Sequence, residues 1–237
     1  MTSLSPTDLQ FVLGRTPKDV RALIKDRGLI LAGGFIRAVI AGERANDIDL
    51  FGSSKDQLEA AARALVDERH RARFHQTDNA FSVFCPPRRP VQFIHRWLFD
   101  DAAKCIESFD FTIAQAAIWW GGTAENKDAT AWRSCISDAF YPDLAARRLV
   151  YTAPKRNEDA GGSILRARKF LMAGYNIQAP SLAGVIARLV AGVHKSGLAD
   201  SSEAGVAQVL LGLLREVDPL VAIDGGTEPI NEHEVVE

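Results

Sequence analysis

The sequence predicts an α/β protein, and three observations carry that prediction. Through residues 16–120, short apolar runs of strand length alternate with segments whose apolar residues recur at helical spacing. One run ends in Gly33 and Gly34, and after twelve intervening residues a second short run carries Asp47 and Asp49, giving the order strand, turn, helix, strand. From residue 164 onward the apolar residues recur at helical spacing, so the C-terminal part reads as helices.

In chain order, Thr16 and Pro17 open a helix with a hydroxyl at the N-cap and proline at the first helical position; Val20, Leu23 and Ile24 form its stripe and Gly28 stops it. A strand runs from Leu29 to the two glycines, a helix starts at about Phe35, and the next strand holds Asp47 and Asp49. Ser54 and Gln57 form a capping-box pattern ahead of Leu58, Ala61, Ala62 and Leu65, the stripe of a helix running to about His70. Strands at 80–85 and 90–94 are joined by a turn at 86–89, and Asp100 or Asp101 caps a short helix through Ile106. Phe109, Phe111 and Ile113 alternate with Asp110, Thr112 and Ala114, the pattern of a strand whose polar face carries Asp110. Ser181 caps a helix striped by Leu182, Val185, Ile186, Leu189, Val190 and Val193, and another helix covers residues 202–217; both stripes read as core or helix-pairing surface. The acidic end, residues 221–237, has little to bury and is expected to be disordered.

Composition bounds the function. A chain of 237 residues with 47% hydrophobic content can bury a core and suits one large domain or a smaller one with a helical extension. A net charge of −2 gives no global nucleic-acid signature, although local basic patches could still bind RNA. Cys85, Cys105 and Cys135 are odd in number and widely spaced, which argues for buried thiols over a disulfide framework or zinc site. His70, His75 and His95 lack ligand spacing and read as surface or packing residues. With no basic segment leading into an apolar core at the N-terminus and no apolar run of about 18 residues, a cytoplasmic protein is expected, with no membrane partner.

The chemistry concentrates at residues 29–51. Two carboxylates one residue apart on a strand point to one face, where they can share divalent cations that also hold phosphate oxygens. Gly33 and Gly34 let the backbone turn tightly and approach a polyphosphate, with the following helix offering free N–H groups to the anion. Asp47 and Asp49 are therefore the candidate catalytic residues and metal ligands of a site for a nucleoside triphosphate and Mg²⁺.

Gly33-Gly34 followed by Asp47-Ile48-Asp49 resembles the signature of the DNA polymerase beta-like nucleotidyltransferase superfamily. Two further segments, DFTI at 110–113 and ILRARKFLMAGYNI at 164–177, are similar to segments of class II CCA-adding enzymes and bacterial poly(A) polymerases. The resemblance covers about residues 28–178. It implies a nucleotidyltransferase-type mixed sheet flanked by helices over residues 1–150, followed by an all-helical neck over 151–220. It implies a two-metal Mg²⁺ site on Asp47 and Asp49, the triphosphate at Gly33 and Gly34, Arg37 near the phosphates and Asp110 near the ribose hydroxyls. The implied reaction moves a nucleoside monophosphate from a triphosphate to a hydroxyl with release of pyrophosphate. An RNA 3′ end is the expected acceptor, beside a protein or small-molecule hydroxyl, or a weakened relative that only binds.

The chain departs from that pattern in four places. Ala38 stands where the family has an aspartate, Gln92 where it has a glutamate, and Ser108-Phe109 where it has two arginines. The E-D-x-x-R base-selecting motif falls where this chain reads Asp159-Ala160-Gly161-Gly162-Ser163. Selection of CTP and then ATP is not expected, unless Glu158, Asp159 and Arg166 read the base in a shifted register. Oligomeric state and preferred nucleotide are not set by these features.

Overall fold

A computed structural model describes residues 1–122, 130–154, 160–195, 203–208 and 210. The chain divides into two compact units, one of Met1–Phe109 with Ile113–Leu144, the other of Asp110–Thr112 with the chain from Ala145 onward.

The first unit is built on a seven-stranded sheet in the order β3-β4-β5-β2-β1-β6-β7. Its strands are β1 (Ile30–Ala32), β2 (Ile48–Phe51), β3 (Arg73–Gln76), β4 (Ala80–Cys85), β5 (Arg88–Ile94), β6 (Ala116–Gly121) and β7 (Ala131–Ile136). Every neighbouring pair is antiparallel except β2 and β5, so the sheet is mixed as expected. Its helices are α1 (Pro6–Arg15), α2 (Lys18–Arg27), α3 (Gly34–Ile40), α4 (Lys55–Glu68), α5 (Ala102–Glu107) and α6 (Phe140–Ala145).

Registered partners share a face of a sheet, so the pairing separates the two sides. Leu31, Leu50, Phe93, Phe81 and Ile118 line one side, which α2 and α4 cover. Leu58, Ala61, Ala62 and Leu65 of α4 are buried, as their spacing predicts. On the other side, α5 supplies Ala102, Cys105 and Ile106 to a cluster with Ile30, Ala32, Phe51, Ala117 and Cys135. All three cysteines are free and buried; burial, with the nearby Asp101 charge, pushes the Cys135 thiol up to about 12.

Several local expectations are corrected. Helix α1 was not foreseen, although Ser5 accepts from the Asp8 N–H at 3.1 Å and Pro6 opens the first turn. Because α1 ends at residue 15, the Thr16 hydroxyl donates back to the Val12 carbonyl at 2.9 Å, and Pro17 occupies the N-cap of α2 with no side-chain bond. Ser54 caps α4, but Gln57 accepts from Ser53 rather than closing the box on Ser54. Arg88 and Arg89 belong to β5, so the hairpin turn narrows to Pro86-Pro87. The polar edge strand β3, including His75, escaped notice because it has no apolar alternation. The strand expected across 109–114 is absent: Thr112–Ala114 is a 3₁₀ turn and the strand begins at Ala116. The reason is that Thr112 N–H bonds Val150 O and Thr152 N–H bonds Asp110 O, so this segment makes these backbone bonds with residues 150–152.

The second unit holds α7 (Ala160–Met172), α8 (Ala179–Lys195) and a parallel pair of two-residue strands, β8 (Arg148–Leu149) and β9 (Asn176–Ile177), that the reading of an all-helical region did not contain. Phe111 packs on Tyr151 and Phe170 with centroids 5.9 and 5.8 Å apart. Helix α8 starts two residues before Ser181, whose hydroxyl accepts from the Tyr151 N–H instead of capping. Of its stripe Val185 is buried, whereas Leu182, Ile186 and Val190 are 40%, 44% and 46% exposed. Residues 203–208 and 210 are helical; the rest of the helix expected at 202–217, and the tail, lie outside the described residues. No helix among the described residues is long and apolar enough to cross a membrane.

One ion pair ties α2 to the end of α4. Asp19 receives Arg69 Nε at 2.8 Å and Nη2 at 3.2 Å, and Arg88 Nη1 at 3.0 Å. Burial raises the Asp19 carboxyl, but the Arg69 bond and charge, the Val20 N–H and Arg88 outweigh it and leave the group below its ordinary value of 3.8. With side-chain exposures of 1% for Arg69 and 7% for Asp19, removing one partner strands a buried charge. Asp19→Asn is expected to cost about 3 kcal/mol or more at neutral pH by urea denaturation. Since the folded value is depressed, this contribution is present above the ordinary carboxylate value and is lost as pH falls through the folded one, so the wild-type and variant stabilities converge in acid.

Candidate functional site

The site begins with strand pairing. In the antiparallel β1–β2 pair Ile30 faces Phe51 and Leu31 faces Leu50, so the exit of β1, where Gly33 and Gly34 follow, lies beside the entry of β2. Asp49 is in β2 and Asp47 lies one residue before it; both are half-buried and alternate with the fully buried Ile48 and Leu50. Phe51 continues the aspartate face into rings of Phe99 and Phe109, 6.0 and 5.8 Å away, so apolar packing closes one end of this face and the carboxylates occupy the other.

Gly33 adopts φ 88° and ψ −136°, a region closed to side-chain-bearing residues, while its N–H donates to Ala116 O at 2.9 Å. A Cβ there would stand 3.4 Å from Phe109 Cζ, whereas one on Gly34 would meet nothing within 4 Å. The two glycines therefore have different work: Gly33 permits the turn, and Gly34 opens α3 onto free space.

Arg37 is buried on α3 and forms an ion pair with Glu43, with side-chain exposures of 11% and 17%. Gly42, at φ 69°, ends the helix, and the Glu43 N–H bonds back to Ala38 O at 2.8 Å, the pattern of a Schellman turn. That reversal brings the Glu43 carboxylate to Arg37. Sequence reasoning missed Glu43, for which the available signal was a glycine stop followed at once by an acidic residue.

In the parallel β2–β5 pair, Gln92 registers with Asp49 and so shares its face. Asp110 and Arg166 come together in the second unit, Nε to Oδ2 at 2.8 Å, with Asp110 buried. Thus Gly33, Gly34, Arg37, Asp47 and Asp49 belong to one unit, and Asp110 and Arg166 to the other. Gly161, Gly162 and Ser163 are buried in the first turn of α7, while Glu158 and Asp159 lie outside the described residues. Among the described residues no group of three or more His, Cys, Asp or Glu side chains gathers as a metal site.

The mixed α/β architecture is similar to that of solved CCA-adding enzymes. The solved structures it is similar to include a CCA-adding enzyme complexed with CTP, at 20% identity and a TM-score of 0.54, covering 94% of this chain and 54% of that one. The Thermotoga maritima CCA-adding enzyme complexed with tRNA matches at 17% identity and a TM-score of 0.53, covering 96% and 58% respectively. An apo form of a CCA-adding enzyme matches at 18% identity and a TM-score of 0.51, covering 90% and 52%. The chain thus spans a little over half the length of these enzymes. No curated protein matches it. Residues 6–147 match the family described as Gabija anti-defense 2 family protein, and the chain belongs to that family.

The two glycines predict a contrast in stability. Gly33→Ala is expected to lose about 1–3 kcal/mol, from the forbidden backbone conformation and the Phe109 contact. Gly34→Ala, in open space at a helix start, should match or exceed the wild type, since alanine favours the helix. Urea denaturation of the two variants measures both.

Proposed function

We propose that the chain is a nucleotidyltransferase that moves a nucleoside monophosphate from a triphosphate to a hydroxyl. The observation that carries this reading is the β1–β2 pairing, which sets the Gly33-Gly34 turn beside Asp47 and Asp49. Oxygen donors on one half-buried face suit a hard cation, so Asp47 and Asp49 would hold Mg²⁺, with room in the expected chemistry for two ions. An ion held there by Asp47 and Asp49 would supply neutralisation of phosphate charge and a lowered pKa for the attacking hydroxyl. Gly34 leaves the start of α3 open to close approach by phosphate oxygens, and Arg37, held by Glu43, stands one turn further along that helix. Asp110 is proposed for the ribose hydroxyls and Arg166, its partner in the second unit, for the nucleotide. The hydroxyl oxygen bonds to the α-phosphorus, the bond to the pyrophosphate oxygen breaks, and the hydroxyl proton passes to solvent; positioning supplies most of the acceleration, without a side-chain nucleophile.

Two likenesses bear on the acceptor. One solved neighbour is a CCA-adding enzyme complexed with tRNA, which favours an RNA 3′ end. The family description favours a second acceptor, a hydroxyl on a Gabija component, with transfer serving the anti-defence role that the family is named for. Ordered C-C-A addition is not part of the proposal, because Gly161, Gly162 and Ser163 occupy the base-selecting place and offer little edge recognition.

The test is incubation with each α-labelled nucleoside triphosphate and Mg²⁺ in extracts of cells with and without Gabija, and separately with tRNA lacking its terminal C-C-A. A labelled macromolecule is expected, with labelling reduced at least about 100-fold in Asp47→Asn and Asp49→Asn while both keep their thermal stability. Unchanged labelling in either variant would remove the mechanism; restoration of the full C-C-A would instead overturn the statement on base choice.

A further inference from the structure

We infer that Gln92 is the third member of the carboxylate face, and that its neutrality makes this site take its divalent cation together with the nucleoside triphosphate rather than beforehand. The inference rests on the nucleotidyl-transfer reading and deepens it by giving the order of binding.

Adjacent strands lie about 4.8 Å apart, so a residue registered with Asp49 on the neighbouring strand is within side-chain reach of the same ligand. That residue is Gln92, in the middle of β5. Its registered neighbours outward are Ser82 on β4 and His75 on β3, so among the described residues these positions add no acidic group. An amide oxygen can touch a cation but adds no charge, and affinity at oxygen sites follows the number of charged ligands. Arg37 adds no net positive charge to be offset, since Glu43 is paired with it. Two carboxylates alone hold Mg²⁺ weakly, because the ion gives up its water reluctantly. A triphosphate supplies the missing anionic oxygens. Metal and nucleotide then arrive as one unit.

The experiment measures Mn²⁺ binding by electron paramagnetic resonance, with and without a non-hydrolysable ATP analogue. For the wild type, binding to the protein alone is expected to be at least about tenfold weaker than in the presence of the analogue. Gln92→Glu is expected to bind Mn²⁺ alone about tenfold or more tightly than the wild type, and a second change, Asp49→Asn, is expected to cancel the gain. In the absence of metal, Gln92→Glu should melt lower than the wild type, through like-charge repulsion, and regain the difference on adding Mn²⁺. Gln92→Leu, which adds no charge and keeps the strand, should weaken Mn²⁺ binding in the presence of the analogue. With the analogue bound, a Mn²⁺ affinity no greater than that of the protein alone overturns the inference, as does the absence of both a gain in Gln92→Glu and a loss in Gln92→Leu. Failure of the transfer reading looks different: α-labelled triphosphate would give no labelled macromolecule, whether or not the analogue and Mn²⁺ bind together.

Discussion

Strand β2 must satisfy two neighbours at once, pairing antiparallel with β1 and parallel with β5, while its alternate residues meet opposite demands. Ile48 and Leu50 enter the side covered by α2 and α4, and the alternate positions turn Asp47, Asp49 and Phe51 to the other side. A slip of one residue would put the carboxylates into the core and the aliphatic side chains onto the aspartate face, so the register is fixed by burial as much as by hydrogen bonding. Once β2 is fixed, the exit of β1 and the middle of β5 are placed with it. The turn, the carboxylates and Gln92 are therefore consequences of one pairing decision.

Much of this was readable from the chain, and for local reasons. The apolar run into Gly33-Gly34, the alternation around Ile48 and Leu50, the stripe of α4 and the Asp101 cap each state their structure within a few residues. What was not readable depends on distant partners. Phe109, Phe111 and Ile113 alternate like a strand, yet residues 150–152 claim the backbone of this segment; the strand pattern there was an accident of burial on all sides. Thr16 had an ordinary capping signature, but the last turn of α1 lay closer. Glu43 was missed because its partner Arg37 meets it only after the chain reverses at Gly42. The edge strand β3 has a single strand neighbour, β4, and nothing in Arg73, His75 or Gln76 announces it.

Fold and family speak to different questions. At about one-fifth identity, the likeness to CCA-adding enzymes describes how the chain is laid out, and a shared layout supports many chemistries. The match to the Gabija anti-defense 2 family spans the whole sheet and all six helices of the first unit but its last residues lie before α7, so the family is defined by the unit that carries the aspartates. That unit also carries Gln92, an uncharged residue registered with Asp49.

The burial of the three cysteines has a practical side. Cys85, Cys105 and Cys135 are all packed away, and a thiol raised to about 12 is almost wholly protonated at neutral pH, the form that alkylating reagents attack least. Native protein should then be nearly silent to such reagents, and the rate at which each sulfur becomes reactive reports the opening of its own neighbourhood: the β4–β5 hairpin for Cys85, helix α5 for Cys105 and the outer strand β7 for Cys135. The chain carries three built-in clocks for local unfolding, spread across opposite ends of one sheet, and an extra cysteine placed on the surface would label against a dark background.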